Sequence, residues 1–496
     1  MELILISILV IVTFLTRIIN LLNIPIFTDE AIYIRWAQIG LADPAHRFIA
    51  LTDGKQPLLT WLMYPFLKIF TDPLFAGRFV SVLSAVFAVC GIYLAARELF
   101  NRRVALFASI LYIFSPFTLI YDRLALMDSL LSMFAIWSLY LHILLVRRLR
   151  LDIALILGII IGLAMLTKSS ALFFIYLFPA SLILFDLKQK GVLQRFFKWS
   201  AYVVTSSVIA LVMYNSLRLS PWFYIIEQKN LTFIRTFSDF VSDPFVSFIP
   251  NLHGLFIWLF EYITLPVFVV VIAGLLWGIL GRDRKIIYLF VWFLVPFLAL
   301  AAFGFVIFPR FVLFMTLPLL LIAALAIDQI TQWSGLIYAK SNVAKYIFPL
   351  LIFCFPFYQS LVLIISPVHG AIPRTDRNQL FDDWPSGYGV NEVISYINEK
   401  SKEGKVVLGT EGTFGLNPAV YEIYLGTNKN VEIHGYWPVG EVPPELIEKA
   451  KTYPTYLVFK EKQIIPPEWP LRLVAKYRRG LGDTYLLFYE VLGKDT

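Results

Sequence analysis

A polytopic α-helical membrane protein with a soluble α/β or α+β domain at its C-terminal end is the fold class this sequence predicts. Three observations predict it. Of 496 residues, 59% are hydrophobic and only 15% are charged, whereas soluble domains are nearer a quarter charged; the mean hydropathy is +0.74. The apolar residues gather into runs long enough to cross a bilayer, which takes about 20 residues of helix. The character then changes: from about Ala371 the chain reads as ordinary soluble sequence, with acids and bases nearly balanced. The predicted domains are 1–370 in the membrane and 371–496 outside it.

The runs fall at about 3–22, 74–96, 104–121, 124–146, 152–166, 169–185, 199–217, 252–280, 286–307, 310–331 and 345–366, giving about eleven spans. The first follows a short acidic leader and lacks both a basic n-region and a small-residue cleavage site, so it reads as a retained span. Loops at 97–103, 147–150, 186–198 and 282–285, and the stretch holding Lys340 and Lys345, are basic. Basic short loops stay in the cytoplasm, which puts the N-terminus there and, after eleven crossings, the C-terminal domain outside a plasma membrane. The net charge of +8 then reflects topology, not a nucleic-acid partner. Cys90 and Cys354 both lie inside apolar runs, which argues against a disulfide framework or a Cys-based metal site.

The outer connections are two long loops, about 23–73 and 218–251, and tight turns containing Asp122-Arg123, Thr167-Lys168 and Pro309-Arg310. Ionisable groups near hydrocarbon are costly and mark functional sites; the plain alternative is headgroup anchoring by snorkelling side chains. In the first loop, Thr28 or Asp29 reads as a helix N-cap with acids in the first turn. Ile32, Trp36 and Ile39 recur at helical spacing, as in an amphipathic helix lying on the membrane surface. Asp29-Glu30 is thus either a cap or a functional pair. Further on, Asp53-Gly54 signals a turn and Pro57 suits the start of a second interfacial helix. Lys55 at that approach makes an anion site, with phosphate the usual guest. Phe223, Phe233, Phe237 and Phe240 enrich the second loop, as an aromatic belt or a cover for a lipid. His253 is either structural or a ligand; Glu261, within a span, either lines a groove or bonds between helices.

These fragments together resemble the dolichyl-phosphate-mannose-type protein mannosyltransferases and the aminoarabinose transferases that modify lipid A, membrane glycosyltransferases of the GT-C class. The resemblance covers roughly residues 20–320 and rests on an ordered set. Asp29-Glu30 comes first, then Lys55-Gln56-Pro57, then Arg78 and a long helix ending Arg97-Glu98-Leu99-Phe100. Ser115-Pro116, Arg123 to Asp128, Gly162 to Lys168 and Pro309-Arg310-Phe311 follow. It implies a GT-C fold and transfer of a sugar from a polyprenyl phosphate to a hydroxyl on a protein, lipid or glycan at the outer face, as in protein glycosylation or cell-envelope modification. It implies Asp29 as general base, Glu30 positioning it or touching the acceptor, and Lys55 binding the donor phosphate. Arg123 and Arg310 would pair with phosphate or hold the acids, Lys168 would do similar work, and Asp128 would orient Arg123. The family's Lys-Pro-Pro is Lys-Gln-Pro here. Where some relatives place an acidic metal ligand before the Lys, this chain has Gly54, so no obligatory metal or other cofactor is expected, although a divalent ion stays compatible.

The chemistry points the same way. A carboxylate can take the acceptor's proton, and fixed Lys and Arg donors stabilise a leaving phosphate. A single displacement inverts configuration, the outcome expected here; a retaining route commonly needs a second carboxylate, for which no convincing partner stands out, with Glu30, Asp53 and Glu261 keeping that route open. The rivals are a transporter or flippase of lipid-linked sugars, against which stands the lack of an inverted repeat, and a membrane polysaccharide polymerase or ligase.

In the tail, helices are expected at 391–402, 421–425 and 445–451, and strands at 405–409, 431–434, 455–460 and 484–491. The segment from Gly409 to Gly415 follows a strand and reads as a turn or a ligand loop; it lacks a nucleotide fingerprint. Acceptor recognition is the expected role of this domain.

Overall fold

The computed structural model describes residues 2–337 and 347–493; the basic stretch with Lys340 and Lys345 lies outside them. Among the described residues, eight helices are long and apolar enough to cross a membrane, and four shorter apolar helices accompany them. The segmentation departs from the expected runs where proline or strained backbone interrupts them. The run at 104–121 is two helices, Arg102–Ile113 and Pro116–Tyr121, because Pro116 has no N–H to give and its ring clashes with the preceding turn. The run at 252–280 is also two, Pro244–Ile263 and Leu265–Leu280, meeting at Thr264 with φ +72°. The run at 169–185 is wound mostly as short 3-10 turns.

The chain divides into two compact units. The first comprises residues 1–20, 48–61 and 78–373 and holds the apolar helices. Its interior contains a neutralised charge: Arg17 and Asp122 are buried with Nη2 and Oδ2 3.2 Å apart. Tyr112 and Ser129 hydroxyls also donate to Asp122, at 2.9 and 2.6 Å. A buried carboxylate requires this set of partners, since leaving it unpaired is far costlier than pairing it.

The second unit comprises residues 21–47, 62–77 and 374–496. It is built on a five-stranded sheet of β1 (Val406–Glu411), β2 (Val431–Tyr436), β3 (Thr455–Phe459), β4 (Leu471–Arg478) and β5 (Tyr485–Val491). The strand order is β2-β1-β3-β5-β4. β1 runs parallel to β2 and β3, while β5 is antiparallel to β3 and β4. β1 and β3 are buried at every residue, as expected of strands covered on both faces. Val407, Leu446, Leu457 and Phe459 form the core on one side. The expected helices and strands of the tail are present, with β4 in addition; its register shifts between Leu473 and Ala475. The loop after β1 is a structural turn: the buried Glu411 accepts from the backbone N–H groups of Lys460, Glu461 and Lys462 at 2.7 to 3.1 Å.

Residues 21–47 and 62–77, read from sequence as part of the membrane portion, group with this domain. The helix Thr28–Ala42 is not the amphipathic surface helix that was expected. Ile32, Tyr33, Ile34, Trp36 and Ala37 are all buried, leaving no broad polar face to meet water. It packs along the helix Leu416–Leu425: Arg35 donates to Glu422 at 2.8 Å, Gln38 donates to the Ile423 carbonyl at 3.1 Å, and Trp36 lies against Phe414.

A cationic cluster as candidate functional site

The first unit gathers three of the charges singled out from sequence. Gly54, at φ +67°, ends the turn Ile49–Asp53, and Lys55 follows with its N–H on the Ala50 carbonyl at 3.0 Å. Gln56, buried, donates to Ser169 Oγ at 2.7 Å. Asn230 Nδ2 donates to the same oxygen at 3.3 Å. One hydroxyl thereby joins the residues immediately after Lys55, Lys168 and Lys229. The Leu58 N–H is on the Leu166 carbonyl at 3.0 Å, which fastens the start of the helix Leu58–Ile69 to the same turn.

Aromatic rings seat the charged ends. Lys55 Nζ is 4.9 Å from the centre of the Phe233 ring and Lys229 Nζ is 6.0 Å from it. Lys168 Nζ is 4.3 Å from the Phe311 ring, and the Arg310 guanidinium lies 5.8 Å from Phe311 and 4.3 Å from Phe308. The Phe233 carbonyl accepts from the N–H groups of Phe305 and Val306 at 2.8 and 3.2 Å, tying the two ring groups together. Asp128 Oδ1 lies 2.6 Å from Lys168 Nζ, and Asp53 Oδ1 lies 2.6 Å from Lys229 Nζ. Four positive groups are thus drawn together. Fixed donors of this kind can hold an anion, and Arg can engage a phosphate through two parallel bonds.

Arg123 does different work from the phosphate or acid pairing expected of it. It is fully buried and donates to three backbone carbonyls, of Leu363 at 2.8 Å, Ile19 at 3.0 Å and Asn20 at 2.7 Å. These carbonyls sit at or beyond helix ends, where the last C=O groups have no partner within the helix. Asp128, expected to orient Arg123, instead holds Lys168. Glu261 is exposed on its helix rather than buried between helices, and His253 is exposed as well. Phe233, among the aromatics of the second loop, is the one under both lysines.

Asp29 and Glu30 belong to the second unit, in the first turn of Thr28–Ala42. The cap lies earlier than either expected position, at Phe27, one residue before Thr28 and two before Asp29. Glu30 is fully buried and accepts from the Phe27 N–H at 2.9 Å. Thr28 N–H and Oγ1 both donate to the Pro385 carbonyl at 3.0 Å, and the Gly387 N–H donates to the Ile26 carbonyl at 2.8 Å. The turn carrying the two acids is thereby fixed to residues 385–387 of the same unit, with Asp29 half-buried.

Among the described residues one trio has the spacing to hold a metal ion, Glu432, His434 and Glu445. Lys449 already fills its centre: Nζ lies 2.5 Å from Glu432, 2.8 Å from Glu445 and 2.8 Å from His434 Nε2.

Residues 54–214 match the family model of dolichyl-phosphate-mannose-protein mannosyltransferase. No curated protein matches the chain by sequence. Among solved structures the chain is similar to ArnT from Cupriavidus metallidurans in the apo state, with TM-score 0.58 and 15% identity over 98% of this chain and 97% of that one. It is similar to the same protein bound to undecaprenyl phosphate, with TM-score 0.55 and 14% identity over 98% and 97%. The Archaeoglobus fulgidus oligosaccharyltransferase in the apo form gives TM-score 0.55 and 15% identity over 92% of this chain and 69% of that one.

Proposed function

We propose that this chain, which has the GT-C fold of the mannosyltransferase and aminoarabinose transferase type, transfers a sugar from a polyprenyl-phosphate donor to a hydroxyl on a protein, lipid or glycan. The observation that carries the reading is the gathering of Lys55, Lys168 and Arg310 around the Gln56–Ser169 bond and the Phe311 ring. A donor of this class presents one phosphate and a long apolar tail, and a multi-pass membrane protein with such a cluster suits both ends of it. A similar fold has been solved with undecaprenyl phosphate bound.

In this reading the acceptor oxygen attacks the anomeric carbon and forms the new glycosidic bond. The bond from that carbon to the phosphate oxygen breaks, and its electron pair leaves with the phosphate. Asp29 takes the hydroxyl proton as attack proceeds. Lys55, Lys168 and Arg310 hold the phosphate and stabilise the charge it gains. One displacement of this kind inverts the anomeric centre. Glu30, occupied with the Phe27 N–H, fixes the turn on which Asp29 is carried. The lysine and arginine groups supply the positive charge, so the step requires no divalent ion. The loops with Asp29 and Lys55 face outward, with the N-terminus in the cytoplasm.

The C-terminal domain takes part in acceptor recognition in this reading. Its removal is not a clean test, since the helix bearing Asp29 packs against Leu416–Leu425 and would lose its support. The test is transfer from defined polyprenyl-phosphate hexoses and pentoses by the purified protein in detergent, comparing wild type with Asp29→Asn. No transfer from any of these donors by the wild type overturns the reaction; equal transfer by Asp29→Asn overturns the base.

A further inference from the structure

We infer that Lys229, in the second outer loop, is a fourth binding residue for the donor phosphate; this rests on the reading above. Lys229 lies on the helix Ile225–Phe233, and that helix is seated directly on the turn that presents Lys55. A Cβ added at Gly54 would stand 2.4 Å from Lys229 Cβ and 2.8 Å from the Ile225 carbonyl oxygen. Only glycine permits that approach, and Gly54 also holds a φ of +67°, which side chains rarely adopt. The helix is further tied in by Asn230 on Ser169 Oγ, the oxygen that also takes Gln56.

The consequence is that two ammonium groups, Lys55 and Lys229, share the Phe233 ring with Asp53 as the adjoining carboxylate. A mere structural ion pair explains less. The Asp53–Lys229 pair is 23% and 30% exposed at its side chains, and a part-exposed pair contributes little to stability. It gives no reason for a second ammonium on the same ring. Asp53 reads instead as the group that holds the Lys229 ammonium in place until a phosphate oxygen arrives, by charge-assisted bonds from both lysines.

The test separates the two roles. The full chain is reconstituted in nanodiscs of phosphatidylcholine, and binding of a polyprenyl phosphate without sugar is measured. Matched arms replace it with phosphatidylglycerol, which carries an anionic headgroup phosphate. Lys229→Met is expected to weaken polyprenyl phosphate binding by about ten- to a hundredfold, the size of one charge-assisted bond. Lys229→Arg should stay within about threefold, the charge being kept. Asp53→Asn breaks the ion pair but keeps the ammonium, and should bind as well as wild type or better. The inference is overturned if Lys229→Met binds normally, if Asp53→Asn loses as much as Lys229→Met, or if only phosphatidylglycerol binding changes. Should Lys229→Met fail to fold, the double variant Lys229→Gln/Asp53→Asn, which leaves no unpaired charge, decides: it should weaken polyprenyl phosphate binding about tenfold or more, and normal binding by it overturns the inference. Wild type that binds no polyprenyl phosphate would overturn the donor reading itself; normal binding without transfer would overturn the reaction and leave Lys229 in place.

Discussion

Gln56 donates to Ser169 across 2.7 Å, and this bond joins the turn of Lys55 to the turn of Lys168 through side chains that follow each lysine. Gln56 is almost wholly buried. Ser169→Ala therefore leaves its amide N–H without this acceptor, at a cost of about 1 to 3 kcal/mol. The expected outcome is a lower thermal midpoint in detergent together with a higher KM for the polyprenyl-phosphate donor. A stability loss with donor KM unchanged would detach the Ser169 junction from donor binding.

Arg123 and Lys168 should separate cleanly. Arg123→Ala strands three carbonyls that its guanidinium now satisfies, and should destabilise the protein by about 3 kcal/mol or more. Lys168 holds the buried Asp128 carboxylate, so the double variant Lys168→Met/Asp128→Asn, which leaves no unpaired buried charge, should keep the unfolding midpoint within a few degrees and raise the donor KM roughly tenfold. Thermal unfolding and donor titration on the two variants check this. If Arg123→Ala is stable and defective only in donor binding, the structural account of Arg123 is wrong.

Lys55, Lys168 and Arg310 stand out in the sequence because a charge at the end of an apolar run is conspicuous, and the structure brings them near one another without assigning them a ligand. Arg123 was equally conspicuous, and the same signal misled: sequence does not tell a guanidinium aimed at a ligand from one that satisfies backbone carbonyls. Lys229 sits in a mixed stretch, Ile225-Ile226-Glu227-Gln228-Lys229-Asn230, where a lysine is ordinary; only the close approach to Gly54 singles it out. The sequence of Thr28–Ala42 reads as a surface helix because its partner is remote, with Arg35 and Glu422 387 residues apart along the chain. β4 escaped notice because the register shift at Leu473 and Ala475 breaks the alternation by which a strand is recognised.

The second unit should respond to acid through Glu432. Hydrogen bonds from Lys405, Lys449 and His434 hold its carboxyl well down, to about 2 from an ordinary 4.5. A depressed acid stabilises the fold above its unfolded pKa, and that contribution is lost as pH falls through the folded value. The window is therefore about pH 4.5 down to pH 2, with no change expected between pH 6 and 8 from this group. Denaturant unfolding of the full chain at pH 7 and pH 3 measures it. Glu432→Gln should lower stability at pH 7 and flatten the acid dependence; an unchanged acid slope would remove Glu432 from the account.

The adjacent acids of the first outer loop should fail in different ways. Glu30 is fully buried and takes the Phe27 N–H at 2.9 Å, so Glu30→Ala removes a cap and should cost about 0.5 to 2 kcal/mol of stability. Asp29 is half-buried, and Asp29→Asn keeps the shape while removing the basic oxygen. Its expected effect is a fall in kcat of about a hundred- to ten-thousandfold, with the donor KM and the unfolding midpoint little changed. A Glu30→Gln variant that retains its fold but loses kcat as severely as Asp29→Asn would move the base from Asp29 to Glu30. Because glutamine keeps an oxygen that can accept from the Phe27 N–H, such a loss could not be ascribed to the cap alone.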